Sequence, residues 1–198
     1  MVLFHTERST TLITISDLTL DDTAAVHTAA TLLVAGFAAQ WPEAWPDLPS
    51  ALEEVHQACA PDYICRAART DDGTVVGWIG GRPQYDGNVW ELHPLVVDTA
   101  WQGQGIGKAL VADLETHVIA QGGITITLGT DDESNGTSLG GVDLYPDVWQ
   151  HIRQIRNLGS HPFTFYQKCG FVITGVVPDA NGFGKPDILM AKRVARSG

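Results

Sequence analysis

The chain has 198 residues, 44% hydrophobic and 18% charged, enough for one domain with a substantial core over residues 1–198. Its formal charge is −11, from 12 basic and 23 acidic side chains. That argues against a nucleic-acid backbone as partner and fits a cationic one, although acidity also serves plain solubility. No apolar run reaches ~18 residues, so no transmembrane helix and no membrane partner are expected.

The N-terminal "MVLFHTERSTTL" lacks the basic flank and long apolar stretch of a secretory signal. "TTLITI" (residues 10–15) has the β-branched content of a first strand. Asp21 and Asp22 are placed to cap a helix running to Phe37. "QWPEAWPDLPS" carries three prolines and predicts a loop or broken helix, with Trp41, Glu43, Trp45 and Asp47 in it. Ser50 with Glu53 three residues later predicts a capping box opening a second helix. "YICRAART", "DDG" and "TVVGWIGGRPQY" read as strand, turn and strand, a hairpin.

A further strand is expected from Val89 to Val97. After it Ile106, Leu110, Leu114 and Val118 recur every four positions, one face of a helix that Gly122 and Gly123 end. "ITITLGT" reads as a strand and residues 131–144 as a polar loop. A helix is expected from about Asp147 to Leu158, and a short one in "HPFTFYQKCG". "FVITGVV" and "DILMAKRV" close the chain as strands joined by "PDANGFGKP". Strands grouped around a crossover helix predict an α/β sheet of mixed direction. Cys59, Cys65 and Cys169 are odd in number and lack metal-type spacing, so they read as reduced thiols of a cytoplasmic protein with no metal.

The chemistry concentrates in "WELHPLVVDTAWQGQGIGKALVADLE", residues 90–115. In "QGQGIGK" Lys108 stands where a dinucleotide-binding turn needs its third glycine. Only three residues separate Gly103 from Gly107, and Ala109 follows Lys108, which excludes a P-loop. What remains is Gln102-x-x-Gly105-x-Gly107 opening a helix. Such a turn gathers backbone N–H groups around one anion such as a pyrophosphate, or else is a tight turn for close packing. In the preceding strand Pro94 interrupts the ladder and leaves N–H groups such as that of Leu95 open to a thioester carbonyl. Glu91 and His93 share a face, where they could accept a proton from an amine.

On these residues the chain resembles the GNAT acetyltransferase superfamily, whose acetyl-CoA signature Q/R-x-x-G-x-G/A matches Gln102–Gly107. It is more closely similar to the aminoglycoside 6′-N-acetyltransferases of the enterococcal chromosomal type. "PQYDGNVWELHPLVV", "GGITITLGTDDE", "DLY" and "HPFTFYQKCGFVITGVVPDANGFGKPDILMAK" carry that likeness in order and spacing over roughly residues 10 to 194. The resemblance implies a central mixed, twisted sheet with helices on both faces and a splayed central strand pair. It implies Glu91 as general base, usually through water, with His93 beside it, the N–H of Leu95 on the thioester oxygen, and Tyr166 near the CoA sulfur. For acetyl-CoA it implies Leu95, Val96 and Val97, the cradle Gln102, Gly103, Gln104, Gly105, Ile106, Gly107 and Lys108, and His161, Phe165 and Lys168. It also implies a homodimer.

A polycationic acceptor needs carboxylates and flat surfaces. Trp41 and Tyr85 offer faces, and Glu91, Asp131, Asp132 and Asp179 offer charge, although aspartates in turns are often merely solvated. The expected activity is acetylation of an aminoglycoside, giving antibiotic resistance. Another cationic amine (a polyamine, peptide or protein lysine) is the second reading. A non-catalytic acyl-CoA-binding module is the third.

Overall fold

The computed structural model describes residues 12–39, 41–159 and 161–195; Thr10 and Thr11 of the expected first strand lie outside them. The elements are β1 (Thr14–Asp17), α1 (Thr23–Phe37), α2 (Leu48–Ala58), β2 (Ile64–Arg69), β3 (Val75–Gln84), β4 (Val89–Val97), α3 (Ile106–Ala120), β5 (Thr125–Asp131), α4 (Val148–Arg153), α5 (Phe163–Lys168), β6 (Val172–Val177) and β7 (Asp187–Arg193). They form one seven-stranded sheet in the order β1-β2-β3-β4-β5-β7-β6. Every neighbouring pair is antiparallel except β4 and β5, which α3 connects as a crossover and which run parallel. This is the mixed sheet that the grouped strands predict.

Adjacent residues on a strand face opposite sides of the sheet, and the two cores follow that alternation. Ala68, Ile79, Ile126, Leu128, Ile188 and Met190 pack under α3 with Leu110, Leu114 and Val118, all buried. Ala67, Trp78 and Val96 face the other way, under α1 and α2. The alanines of α1 let it approach closely: Ala29 and Ala30 are fully buried, and the Trp78 indole donates to the Ala29 carbonyl at 3.0 Å. Asp22 caps α1 through the Ala25 N–H, 3.0 Å away. Polar ties fix α3 across the sheet: Arg66 of β2 holds Asp113 at 2.7 Å, and Lys192 of β7 holds Glu115 at 2.5 Å.

Three expectations are corrected. The first strand begins at Thr14 and runs on to Asp17. The cap of α2 is Asp47, whose carboxylate accepts from the Ser50 N–H at 2.9 Å; the helix starts earlier because Pro49 suits a first helical turn. The helix expected to reach Leu158 stops at Arg153. Beyond it the backbone pairs with the 131–144 loop, Leu158 N–H donating to Gly136 at 2.8 Å and Ser138 N–H to Arg156 at 3.0 Å. The Asn157 amide adds bonds to His161 and Thr164. Those pairings satisfy groups that a longer helix would have used internally.

Candidate active site

The site starts from an irregularity in β4. Its register against β3 runs Arg82↔Glu91 and Gly81↔Leu92, then resumes at Ile79↔Leu95, so His93 and Pro94 oppose only Gly80. A side chain at Gly80 would collide with the His93 carbonyl, which is why β3 carries glycine there. On its other edge β4 pairs with β5 only from Val89 to Glu91. Beyond Glu91 the two parallel strands separate, while β5 stays paired with β7 as far as Asp131. A wedge therefore opens in the middle of the sheet. Leu95, Val96 and Val97 lie on the half of β4 that has no β5 partner.

The glycine turn sits where β4 ends. Gln102 anchors it by donating to the Val97 carbonyl at 3.0 Å. Gly103 and Gly105 have φ of +76° and +88°, and a Cβ on either would meet nothing within 4 Å. Their glycines serve backbone conformation and open space, not packing. Gly105 is also the N-cap of α3 and supplies no side-chain cap, so the first-turn N–H groups of a 15-residue helix point into that space. Gly107 is different: a Cβ there would lie 3.2 Å from the Phe165 ring, so it serves close packing. The turn thus divides: Gly103 and Gly105 leave open space, and Gly107 serves packing. Ile106 is buried in the core, whereas Gln104 and Lys108 are exposed.

From the far side α5 brings Tyr166, whose ring stands edge-on to Phe165 and Phe171 at 5.1 and 5.8 Å. Its hydroxyl makes no hydrogen bond among the described residues, and burial holds its pKa above the ordinary phenol value. Lys168 is exposed. His161 does not present a free ring nitrogen. It is buried, with Nε2 2.9 Å from the Asp131 carbonyl and Nδ1 accepting from the Phe163 N–H at 3.3 Å. Burial lowers its pKa and keeps the ring neutral. Its visible work is to tie the end of β5 to the start of α5.

On the other side of the wedge Glu91 is clamped. Arg82 donates to both its oxygens at 2.8 and 2.9 Å, and Gln84 donates as well. The guanidinium holds the Glu91 carboxyl below the usual carboxylate range, and this outweighs the opposing effect of burial. His93 stands 3.5 Å from Glu54 of α2, with its ring 6.0 Å from that of Trp45. The Glu54 carboxyl is lowered by its hydrogen bond to His93. Trp45 meets Phe37, and Phe37 meets Trp41, so the proline-rich loop forms an aromatic wall. Trp41 also borders a cavity of about 270 Å³ lined by Ser134, Asn135, Gly136, Leu158, Gly159 and His161.

Among the other expected acceptor residues, Asp131 closes β5 and accepts from the Asn181 amide. Asp132 does not reach the cleft. It is fully buried and accepts from Gly136 N–H, Thr137 N–H and the Thr137 hydroxyl at 2.6, 2.9 and 2.7 Å, which makes it the organiser of its loop. Asp179, at φ +55°, shapes the β6–β7 turn by accepting from Gly184 N–H at 2.7 Å. Tyr85 is exposed at the tip of the β3–β4 hairpin. Sequence reasoning missed Arg82, Gln84 and Glu54. The first two were within reach: a turn over 85–88 pairs Gln84 with Val89 and so Arg82 with Glu91. Glu54 had no such signal, because its approach to His93 depends on how α2 docks.

No three His, Cys, Asp or Glu side chains gather as a metal site among the described residues. Cys59, Cys65 and Cys169 are free thiols. No helix of the described residues is long and apolar enough to cross a membrane.

Residues 30–140 match the acetyltransferase (GNAT) family. Among solved structures, an aminoglycoside 6′-N-acetyltransferase complexed with coenzyme A is 42% identical with a TM-score of 0.86, over 93% of this chain and 99% of its own. The aminoglycoside 6′-N-acetyltransferase from Enterococcus faecium is 39% identical with a TM-score of 0.83, over the same shares. An aminoglycoside 6′-acetyltransferase type Ii is 37% identical with a TM-score of 0.72, again over 93% and 99%. No curated protein sequence matches the chain.

Proposed function

The chain belongs to the acetyltransferase (GNAT) family, and we propose that it transfers the acetyl group of acetyl-CoA to the 6′-amine of an aminoglycoside, a resistance reaction. The observation that carries this reading is the wedge between β4 and β5. An uncapped helix N-terminus and open glycines lie at its one end, and ionised carboxylates with aromatic faces lie at the other. The first suits a pyrophosphate and the second a polyammonium sugar. Likeness to aminoglycoside acetyltransferases over 93% of the chain supports the same acceptor.

Acetyl-CoA, when bound, supplies the acetyl group; an amide N–C bond forms and the C–S bond breaks. The Gln102–Lys108 turn would hold the pyrophosphate, with Val96 and Val97 along the strand and Phe165 and Lys168 across the cleft. The Leu95 N–H would donate to the carbonyl oxygen. An ammonium cannot attack, so its proton must leave first. Glu91, held in the ionised form by Arg82, is a weak base. Its fitting role is to attract the ammonium and order a water that carries the proton away. His93, beside Glu54, faces the same space. Neighbouring ammonium groups on the acceptor already lower the pKa of the reacting one, so a weak base suffices. Tyr166, kept protonated by burial, can donate to the departing thiolate. We infer further a homodimer acting in the cytoplasm, to be checked by light scattering and by cell fractionation.

The deciding experiment mixes the protein and acetyl-CoA with kanamycin, spermidine or a lysine peptide, follows thiol release, and locates the acetyl group by NMR. Acetylation of the kanamycin 6′-amine is expected, with none where a hydroxyl replaces that amine. Turnover with the lysine peptide or spermidine alone would transfer the protein to the wider class of cationic-amine acetyltransferases.

A further inference from the structure

The mechanism above leaves one carboxylate unused. Asp187 opens β7 directly opposite Asp131 of β5. By the alternation of the strands it shares a face with Asp131, Gly129 and Thr127, and Thr127 is in register with Glu91. Gly129 is exposed, so no helix covers the sheet at that point. The Asp187 carboxyl lies over this glycine: a Cβ at position 129 would sit 2.5 Å from Oδ2 and 2.8 Å from Oδ1. Oδ1 is closed off from solvent yet has no hydrogen-bond partner among the described residues. A buried acceptor without a donor is unusual and costly.

The groups facing Asp187 make its position odder. Asp131 on β5 and Glu91 on β4 both repel its charge, and only the Thr130 backbone offers relief. Arg82 on β3 is committed to Glu91. Lys185 pairs with Glu133 at 3.8 Å. From β6 the partner in register is Val177, which is apolar. The strand pair thus presents two opposed carboxylates on an uncovered face, with their missing countercharge to come from outside.

We propose that Asp187 is a specificity-determining residue that, with Asp131, receives an ammonium group of the acceptor other than the one acetylated. The proposal rests on the polyammonium acceptor argued above and names the residue that reads its second charge. Burial and the two neighbouring carboxylates push the free carboxyl up to about 6. Ionisation then accompanies binding: the Asp187 proton leaves to solvent as the ammonium arrives, so acceptor affinity rises as pH climbs through that range.

The test is titration calorimetry of kanamycin into the CoA-bound protein at pH 5.5 and 7.5, in buffers of different ionisation enthalpy. Wild type, Asp187→Asn and Gly129→Ala are compared, the last because its new methyl displaces the same carboxyl. At pH 7.5 both variants should bind kanamycin about tenfold more weakly, as for a half-buried charge pair, with unchanged CoA affinity. The proton release and pH dependence of the wild type should shrink in both. A sugar carrying the 6-amine alone should bind wild type and variants alike. If wild type binds kanamycin and both variants match it, Asp187 has no such role. If wild type binds no kanamycin, the acceptor reading falls and this proposal falls with it. If Asp187→Asn also loses CoA, the fold is damaged in that variant and Gly129→Ala decides.

Discussion

Asp187 should destabilise the free protein, and the size of the effect follows from its surroundings. Its carboxyl is pushed from an ordinary 3.8 to about 6, chiefly by burial and then by Asp131. At one pK unit per 1.36 kcal/mol, that displacement corresponds to about 3 kcal/mol. The group is only half-buried, so solvent screening reduces the figure to roughly 1–2 kcal/mol. The sign is set by linkage. A carboxyl whose folded pKa is raised favours the native state at pH below its unfolded value, and that contribution is lost as pH rises to about 6 and beyond. Asp187→Asn keeps the shape, cannot ionise, and puts an amide beside Asp131. Thermal unfolding of the free proteins should therefore find the variant more stable at pH 7.5 by about 2–8 °C, taking roughly 2–4 °C per kcal/mol at this chain length. The gap should close toward pH 4. Equal melting temperatures at both pH values, or a variant less stable at pH 7.5, would refute the claim that the charge is uncompensated.

Three other outcomes are expected. Arg82→Met removes the guanidinium that holds the Glu91 carboxyl down; if Glu91 acts in its ionised form, the acid limb of the kcat/KM pH–rate profile should lie at higher pH in the variant than in wild type. Tyr166→Phe should lower kcat by about 10²-fold, the low end for a general acid because CoA is already a good leaving group, with acetyl-CoA affinity from calorimetry unchanged. Gly105→Ala forces a Cβ into φ +88° at a cost of about 1–2 kcal/mol; differential scanning should show a lower melting temperature, and calorimetry a weaker acetyl-CoA Kd with kanamycin affinity kept.

Where local chemistry decides an element, the sequence was enough to find it. Val89–Val97 has the bounds expected, because a charged hairpin turn and the glycines after it leave the strand no other extent. The start of α3 follows from glycines that only a turn would use, and the cap of α1 from an aspartate before an alanine-rich helix. The stretch after Arg153 was misread for the opposite reason. Its apolar spacing suits a helix, but its hydrogen bonds go to a loop 18 residues earlier in the chain, and no local signal records that pairing.

The candidate site divides along the same line. Glu91, His93 and the Gln102–Gly107 turn were legible because each breaks a local rule: an acid, an imidazole and a proline in a strand, and glycines before a helix. Asp132 and His161 look equally chemical in the sequence, but nothing local signals that both are buried and hydrogen-bonded within the protein, since burial and partners are tertiary facts. Asp187 was invisible for a subtler reason. In the sequence it is one aspartate between a turn and a strand, and only the sheet order, which slips β7 between β5 and β6, sets it opposite Asp131. The glycine at 129 then has a meaning that strand propensity could not give it. A side chain there would stabilise an exposed strand, yet it would occupy the space of the Asp187 carboxyl. A weakened strand, a buried oxygen without a donor and two facing carboxylates each work against the stability of the free protein. A cation held over Gly129 would compensate all three, and that is where we propose that a second ammonium of the acceptor sits.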